Sequence, residues 1–276
     1  MTILSCPVCR AALLREDTRY ACANGHGFDR ARQGYVNLLL SSQRPSKAPG
    51  DSAAMLADRR AFLDAGFYDP LRRRIVERLD TLRGDGVQRV LDLGCGEGYY
   101  SAGLTDAARD VYALDIAKPA LALAARRNPQ VTWCVGNSRA LPFFDDSLDV
   151  VLSIFCCPHP AQTRRVLRAD GVLLLVGPGP SHLEELRAIL YDTVRTQHSQ
   201  TPERLREQGF VRSHSEILDY RFTLDGVAIG QLARMTPHYW RAPAHGRARL
   251  EGIDTLTLRA DFVIQEFAPR KMIAAG

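Results

Sequence analysis

The sequence predicts an α/β fold with a mostly parallel sheet, preceded by a small module at the N-terminus. Short apolar runs alternate with helical patterns from residue 87 onward, and this order is typical of a doubly wound sheet. A glycine-rich loop follows the first of these runs, and three of the seven cysteines cluster between residues 6 and 22. With 276 residues, the chain is long enough for one large core and a small appended module.

The N-terminal cluster reads C-x2-C-x12-C-x3-H and consists of Cys6, Cys9, Cys22 and His26. Two short ligand pairs, separated by enough chain for a hairpin, are typical of a tetrahedral zinc site. Thiolates and an imidazole suit zinc better than harder cations. Four protein ligands leave no open coordination position, so the sequence predicts one structural zinc per chain. The alternative is a set of reduced cysteines without metal near a mobile terminus.

The domain boundaries are predicted from composition and helical spacing. The predicted zinc module occupies residues 1–38, a linker with a helix occupies 39–66, and the large domain occupies 67–276. Residues 41–52 are rich in Ser, Pro, Lys and Gly, which is a linker composition. Ser52 is the predicted N-cap of the first helix, and a second helix is expected to begin near Pro70.

Seven strands are expected in the large domain. Five apolar runs follow one another with helical stretches between them, including a helix around 118–128: VQRVLDLG, VYALDI, VTWCVG, LDVVLSIF and VLLLVGP. Two later runs, SEILDYRFTL and TLRADFVIQEF, follow residue 212 and are expected to extend one edge of the sheet.

The loop after the first strand, DLGCGEG at residues 92–98, predicts a ligand-binding turn. A nicotinamide site favours G-x-G-x-x-G, but Tyr99 stands at the third glycine position. Asp92 precedes Gly94 by two residues, where a carboxylate would repel a pyrophosphate. The same carboxylate suits S-adenosylmethionine, because this ligand carries an ammonium group and no phosphate.

Polar residues at the ends of the next two strands complete the predicted methyl-donor site. Asp115 ends the second strand, where a carboxylate accepts hydrogen bonds from ribose hydroxyls. Asn137 and Ser138 follow the third strand, where side chains can meet the adenine. The alternative is a glycine turn with incidental acids. The residues predicted from this region to bind the donor are Asp92, Gly94, Gly96, Glu97, Gly98, Tyr99, Asp115, Asn137 and Ser138.

The charge distribution is uneven. The net charge is +5, and residues 1–50 hold seven Lys and Arg against three Asp and Glu. A second basic run spans Arg72 to Arg74. Such clusters point to an acidic partner such as RNA, although a solvated helix face is the simpler explanation. No apolar stretch reaches the roughly 18 residues that span a bilayer, and no signal peptide is recognisable. We therefore expect a cytoplasmic protein without structural disulfides and without a membrane partner.

The chain resembles the bacterial 23S ribosomal RNA guanine-N1 methyltransferases of the RlmA family. The most specific segments are CPVC…CANGHGFD, QGYVNLL, PGDSAAMLADRRAFLDAGFYDPL, VLDLGCGEGYY, GPGPSHL and MTPHYW. The resemblance implies a Rossmann-like class I S-adenosylmethionine-dependent domain joined to a zinc module, and a substrate guanine in a hairpin loop of 23S rRNA domain II. It also implies that Tyr68 and His182 touch the methyl donor, that Gly96 to Tyr99 form the donor loop, and that the N-terminal cluster binds zinc. A homodimer is a further possibility.

The catalytic residues are not evident from the sequence. Residues 153–160 read SIFCCPHP, where many base methyltransferases carry an Asn/Asp-Pro-Pro-aromatic motif that binds exocyclic amines. Its absence fits a ring-nitrogen target. Candidates for the general base are His159, His182 and His238, and Trp240 is a candidate for stacking on a base or for the core. Two other functions stay open: a small-molecule, quinone-type methyltransferase and a non-enzymatic zinc-containing RNA-binding adaptor.

Overall fold

The computed structural model describes residues 2–43, 52–106, 108–194 and 199–270. Most of the predicted linker, residues 44–51, lies outside this range. The strands are β1 (Leu14–Arg15), β2 (Arg19–Ala21), β3 (Gly27–Asp29), β4 (Val36–Asn37), β5 (Gln88–Leu93), β6 (Arg109–Asp115), β7 (Thr132–Val135), β8 (Leu148–Ile154), β9 (Leu167–Pro178), β10 (Phe210–Asp225) and β11 (Thr255–Pro269). The helices are α1 (Ala53–Asp64), α2 (Asp69–Thr81), α3 (Tyr99–Ala102), α4 (Lys118–Arg127), α5 (Pro160–Val166), α6 (Glu184–Leu190), α7 (Thr201–Glu207), α8 (Gly226–Met235), α9 (Pro237–Arg241) and α10 (Ala244–Ala248).

The large sheet has the order β10-β11-β9-β8-β5-β6-β7-β4. Strands β4 to β9 run parallel to one another, and β11 pairs antiparallel with both β9 and β10. The seven predicted strands are confirmed, including the two that extend one edge. The eighth strand, β4, comes from the N-terminal segment and extends the opposite edge beside β7.

The helices that flank the donor loop begin where local chemistry favours them. Ser52 caps α1, because its hydroxyl accepts a hydrogen bond from the Met55 N–H at 3.2 Å. Helix α2 has Pro70 in its first turn, where a missing N–H costs nothing. Its apolar face, Leu71, Ile75 and Leu79, is fully buried. These features agree with the predicted helix starts.

The N-terminal module packs directly on the large domain. The Ser5 N–H donates to the Pro142 carbonyl at 2.9 Å, and the Phe144 N–H donates to the Ile3 carbonyl at 3.0 Å. One continuous apolar cluster joins Leu4 of the module to Phe143 of the large domain. Strand β4 also lies in the large sheet. The module and the sheet therefore share a core rather than being joined only by a linker.

Three of the four arginines of α2 are engaged within the protein, and Arg73 is exposed. Arg74 bonds Glu216 through two nitrogens at 2.9 and 2.5 Å. Arg78 bonds Glu266 at 2.9 and 2.5 Å, and Arg72 lies 4.7 Å from the Tyr99 ring centre. The structure thus disfavours the expectation that Arg72 and Arg74 are available to RNA phosphates, because acidic and aromatic partners already hold them. Within the described ranges, no helix is both long and apolar enough to cross a bilayer.

Candidate active site and zinc centre

The four predicted zinc ligands converge at the start of the chain. One ligand atom from each of Cys6, Cys9, Cys22 and His26 lies within 4.8 Å of the others. The Cys9 and Cys22 sulfurs are 3.7 Å apart, and Cys22 Sγ lies 3.4 Å from His26 Nδ1. Two thiolates at about 2.3 Å from a tetrahedral zinc would be separated by about 3.8 Å, so this geometry fits zinc. The sulfur separation is far too long for a disulfide.

The hairpin around these ligands favours the thiolate form of Cys9, whereas burial raises the pKa of Cys6. The backbone N–H of Ala11 bonds to Cys9 and lowers the pKa of its thiol to about 6. Zinc binds the deprotonated form of cysteine. Strands β1 to β3 form a small sheet, with β1 and β2 between the two ligand pairs and β3 directly after His26. All four ligand positions are occupied by protein. The arrangement is therefore that of a structural site.

A cavity of about 890 Å³ opens at the carboxyl ends of the parallel strands, where open α/β sheets bind their ligands. Its volume lies within the range of small-molecule sites. It contains carboxylates, glycines, aromatic rings and imidazoles from all parts of the large domain. The predicted site residues among its lining are Tyr68, Asp92, Gly94, Gly96, Glu97, Tyr99, Asp115, His182 and His238.

Asp92 lies at the floor of the cavity and is 2% exposed. Burial raises the pKa of this carboxyl to about 7, although the Ser101 hydroxyl donates to it at 2.5 Å and opposes the rise. Nearby Asp115 and Glu97 raise the pKa further. A carboxylate with this environment gains from a cationic ligand group, because the opposite charge favours its ionised form. The predicted pairing with the donor ammonium is consistent with this chemistry.

Asp115 connects the end of β6 to the glycine loop. The Gly96 N–H donates to its Oδ2 at 2.9 Å, and the Ala117 N–H donates to its Oδ1 at 2.8 Å. The carboxylate is only half-buried and lines the cavity, so a ligand in the cavity has access to it.

Glycine is required in the donor loop for two different reasons. Gly94, Gly96 and Gly98 have φ values of 77°, 56° and 84°, which L side chains rarely adopt. A Cβ on Gly94 would lie 2.6 Å from the Cys156 sulfur, and a Cβ on Gly98 would lie 2.6 Å from the Trp133 ring. The loop therefore packs tightly against β8 on one side and against β7 on the other.

Tyr68 and His182 meet in the buried wall of the cavity. The Tyr68 hydroxyl lies 3.4 Å from His182 Nε2, and His182 Nδ1 accepts the Asp261 N–H at 3.3 Å. Burial lowers the pKa of His182 to about 3, so the ring is neutral. Since Nδ1 accepts, the ring proton is on Nε2. Both nitrogens of His182 are thus engaged, which argues against its predicted role as a general base.

The loop that carries His182 is fixed by two charged side chains. The Asp261 carboxylate accepts the Ser181 N–H at 2.9 Å. The Arg187 guanidinium donates to the carbonyls of Pro180 and His182 at 2.9 and 3.1 Å. These contacts hold the backbone of the loop and thereby orient the imidazole.

Four predicted residues are not among the described residues that line the cavity: Gly98, Asn137, Ser138 and His159. Gly98 is buried behind the loop. The Asn137 side chain donates to the Gln43 carbonyl at 2.9 Å and accepts the Arg139 N–H at 2.9 Å, so it organises the turn after β7. His159 precedes α5, and its Nδ1 is buried. Their predicted contacts with a ligand stay predictions.

Sequence reasoning missed much of the cavity wall. Helix α1 contributes Leu56 and Arg59, and the turn after β8 contributes Phe155 and Cys156. The segment from α8 to α9 contributes Met235, Thr236, Pro237 and Arg241. The one sequence signal for this wall was Phe155, an aromatic residue directly after the apolar strand β8. The other contacts depend on long-range packing between α1 and α8.

The family models match both parts of the chain. The zinc-ribbon model described as "RlmA, N-terminal" matches residues 4–47. A model described as "Methyltransferase domain" matches residues 90–171. The first contains all four predicted zinc ligands, and the second begins inside β5 and includes the donor loop.

Curated relatives and a solved structure agree with these matches. A protein of Streptomyces fradiae named "23S rRNA (guanine(748)-N(1))-methyltransferase" is 36% identical over 272 residues, which cover 95% of each chain. The Bacillus subtilis (strain 168) protein YxjB, whose name gives the 23S rRNA guanine-N1 activity provisionally, is 32% identical over 94% of this chain and 95% of its own. A structure titled "Conversion of a Disulfide Bond into a Thioacetal Group during Echinomycin Biosynthesis" has a TM-score of 0.50 and 13% identity over 71% of this chain and 81% of that chain, and it shows the fold alone. The chain therefore belongs to the RlmA family of 23S rRNA (guanine-N1)-methyltransferases.

Proposed function

We propose that the protein transfers the methyl group of S-adenosylmethionine to N1 of a guanine in a hairpin loop of 23S rRNA domain II. The observation that carries the proposal is that one chain contains both a zinc-binding cluster and a donor cavity. The rRNA-modifying relatives align with both regions. Family membership covers the enzyme class, the methyl donor and the rRNA substrate. The hairpin loop is the finer part of the proposal.

The residues that hold the methyl donor are assigned by their chemistry. Asp92 would face the donor ammonium, Asp115 would accept from the ribose hydroxyls, and the backbone of Gly94 and Gly96 would allow close approach. When bound, the donor supplies an activated methyl group on a sulfonium. The protein's main contribution is then to place guanine N1 in line with it and to exclude water.

Guanine N1 carries a proton at neutral pH, so its methylation requires a proton acceptor. Of the three candidate imidazoles, His182 and His238 line the cavity and His159 is not among the described lining residues. Both ring nitrogens of His182 are engaged with Tyr68 and Asp261, so His238 is the better placed candidate. Burial lowers the pKa of His238, so the ring is neutral at physiological pH and can accept a proton. We assign it this role. A His238→Gln variant should lose about 10²- to 10⁴-fold in rate while keeping its affinity for S-adenosylhomocysteine.

The quinone-type alternative finds only partial support. A demethylmenaquinone methyltransferase of Renibacterium salmoninarum is 35% identical over 135 residues, which cover 46% of this chain and 56% of that protein. The rRNA-modifying relatives cover the zinc module as well. A non-enzymatic adaptor would have no use for the donor cavity, in which the glycine loop, Asp92 and Asp115 converge.

The experiment follows the methyl group. Purified protein is incubated with tritiated S-adenosylmethionine and either a 23S rRNA domain II transcript or a lipid and metabolite extract. We expect label in the RNA and a new reverse-transcription stop in the hairpin loop, because N1 methylation blocks base pairing. Label in the extract alone would support the quinone-type activity, and label in neither would support the adaptor.

Two further expectations accompany this proposal. An rRNA substrate implies a cytoplasmic enzyme. The possible homodimer stays a prediction, and sedimentation of the protein with and without the transcript would test it.

A further inference from the structure

Phe155 is an exposed aromatic residue on the cavity wall. It directly follows β8, lines the cavity and is 47% exposed. Two tyrosines of this wall use their hydroxyls within the protein: that of Tyr99 donates to Asp69 at 2.6 Å, and that of Tyr68 lies 3.4 Å from His182 Nε2. Phe155 has no polar atom, and its exposed surface faces solvent at the carboxyl edge of the sheet.

The backbone of Phe155 has an unusual conformation. Its φ is 52°, in the left-handed region that bulky side chains rarely adopt. Two hydrogen bonds impose this turn: the Phe155 N–H donates to the Val176 carbonyl at 2.9 Å, and the Ser153 hydroxyl donates to the Cys156 carbonyl at 3.1 Å. Glycine or asparagine would fit such a turn with less strain. Backbone strain of this kind clusters at functional sites.

The inner side of the ring is supported by other rings. The Phe155 and His182 ring centres are 6.2 Å apart with an interplanar angle of 27°, and Phe262 lies 5.8 Å from Phe155. His182 itself is held by Tyr68 and Asp261. Neighbouring rings thus support the inner face of the Phe155 ring, and its other face is open.

The position of this surface relative to the donor loop follows from the strand order. Strand β8 neighbours β5, which carries the donor loop, on the side opposite to β6. Asp115, the predicted ribose contact, ends β6. The next residue after Phe155, Cys156, packs directly against Gly94. Phe155 therefore lies beside the donor loop, on the side opposite to the predicted ribose contact.

We propose that Phe155 is the platform on which the target guanine stacks while its N1 faces the methyl donor. The inference rests on the proposed function and adds the residue that binds the base. Unpaired bases are recognised by stacking on aromatic side chains. Stacking on an aromatic ring requires no hydrogen bond and no polar group. The segment SIFCCPHP can therefore bind a base by stacking, although it lacks the Asn/Asp-Pro-Pro-aromatic motif.

The experiment compares Phe155→Leu with Phe155→Tyr. Leucine keeps an apolar side chain but removes the flat face, whereas tyrosine keeps it. Single-turnover methylation of the domain II transcript is measured at saturating tritiated donor, and the affinity for S-adenosylhomocysteine is measured by calorimetry. We expect the leucine variant to lose roughly 5- to 150-fold in kcat/KM for RNA, which corresponds to the stacking of one base. The tyrosine variant should stay close to wild type, and both should bind S-adenosylhomocysteine normally.

A control variant is Ile217→Ala, because Ile217 is 68% exposed on β10 and lies outside the cavity lining; its kcat/KM should not change. Equal rates for wild type and Phe155→Leu would overturn the inference. So would a loss in Phe155→Tyr as large as in Phe155→Leu, or a parallel loss of S-adenosylhomocysteine affinity, which would make the ring a wall of the donor pocket. If wild-type protein fails to methylate the transcript, the proposed function fails first, before any variant is compared.

Discussion

The zinc centre and the donor cavity are assembled from the chain in opposite ways. All four zinc ligands lie between residues 6 and 26, and each pair sits in one tight turn. The cavity takes its lining from Leu56 in α1 to Gln265 in β11. The first site is defined by local spacing, whereas the second exists only once the whole sheet has formed. The two regions nevertheless share an apolar core, in which Leu4 and Phe143 belong to one cluster.

This difference determines what each site requires to form. Metal binding supplies most of the folding free energy of small zinc modules, and this module then adds its apolar residues to the core beneath the sheet. The donor cavity instead depends on close packing between strands and helices. Loss of zinc should therefore affect the stability of the large domain, while changes in the cavity should leave the zinc in place.

The largest expected effect is that of Cys22→Ser. Removing one thiolate should release the zinc and lower the free energy of unfolding by at least about 4 kcal/mol, because the module and its share of the core lose their order. Metal analysis and thermal unfolding measure the two effects. A matched control is Cys157→Ser, an exposed cysteine outside the cluster, which should retain zinc. If zinc is lost but the unfolding of the large domain is unchanged, the two regions are independent despite their contacts.

The next effect concerns tight packing of the donor loop and uses two glycines with the same backbone conformation. Gly98 has φ 84°, and a Cβ there would lie 2.6 Å from Trp133 and 2.9 Å from Ala124. Gly252 has φ 85°, with nothing within 4 Å of such a Cβ. Each change to alanine should cost about 1–2 kcal/mol for the left-handed backbone. Gly98→Ala should cost a further 1–3 kcal/mol or so for overpacking.

Urea unfolding of the two variants measures this difference directly. Equal destabilisation would mean that the loop yields and that the contact with β7 is not tight. In either case the zinc content should stay at the wild-type level.

The contrast between the two sites also explains how far sequence reasoning reached. The ligand spacing of Cys6, Cys9, Cys22 and His26 predicted a cluster that the structure brings together, because local spacing determines it. The seven strands of the large domain and the donor loop were equally accessible, since apolar runs and glycines are visible in the sequence, whereas the eighth strand, β4, was not predicted. The pairing of Arg74 with Glu216 and the place of Phe155 on the cavity wall were not. Both depend on which distant segments of the chain pack together. The place of Phe155 also depends on its left-handed backbone conformation.

A smaller effect tests the donor end of the cavity. Asp115→Ala removes the carboxylate predicted to accept from the ribose hydroxyls and should weaken S-adenosylhomocysteine binding by roughly 1.5–3 kcal/mol. Asp110→Ala, at the other end of β6, is the control and should leave the affinity unchanged. Calorimetry measures both. Unchanged affinity in Asp115→Ala would exclude this carboxylate from the ribose site.

The last expected effect is a proton linked to Asp92, and it is spread over about three pH units. Burial raises the folded-state pKa of this carboxyl from 3.8 to about 7. The folded state therefore binds more protons than the unfolded state between these values, and the contribution of Asp92 to the free energy of unfolding falls as pH rises from about 4 to 7. In Asp92→Asn this contribution is absent. As the pH rises from about 4 to 7, the free energy of unfolding of Asp92→Asn should therefore increase relative to that of wild type by up to about 1.4 kcal/mol per pH unit.

Ligand binding should reveal the same proton. If the donor ammonium lies against Asp92, it favours the ionised carboxylate and lowers its pKa, so S-adenosylhomocysteine binding near pH 7 should release a fraction of one proton. Calorimetry in two buffers of different ionisation enthalpy measures that release. Asp92→Asn should bind without this proton release, and its zinc content should match wild type. Proton uptake on binding, or equal release in both proteins, would contradict the pairing and would locate the ammonium contact at another carboxylate of the cavity.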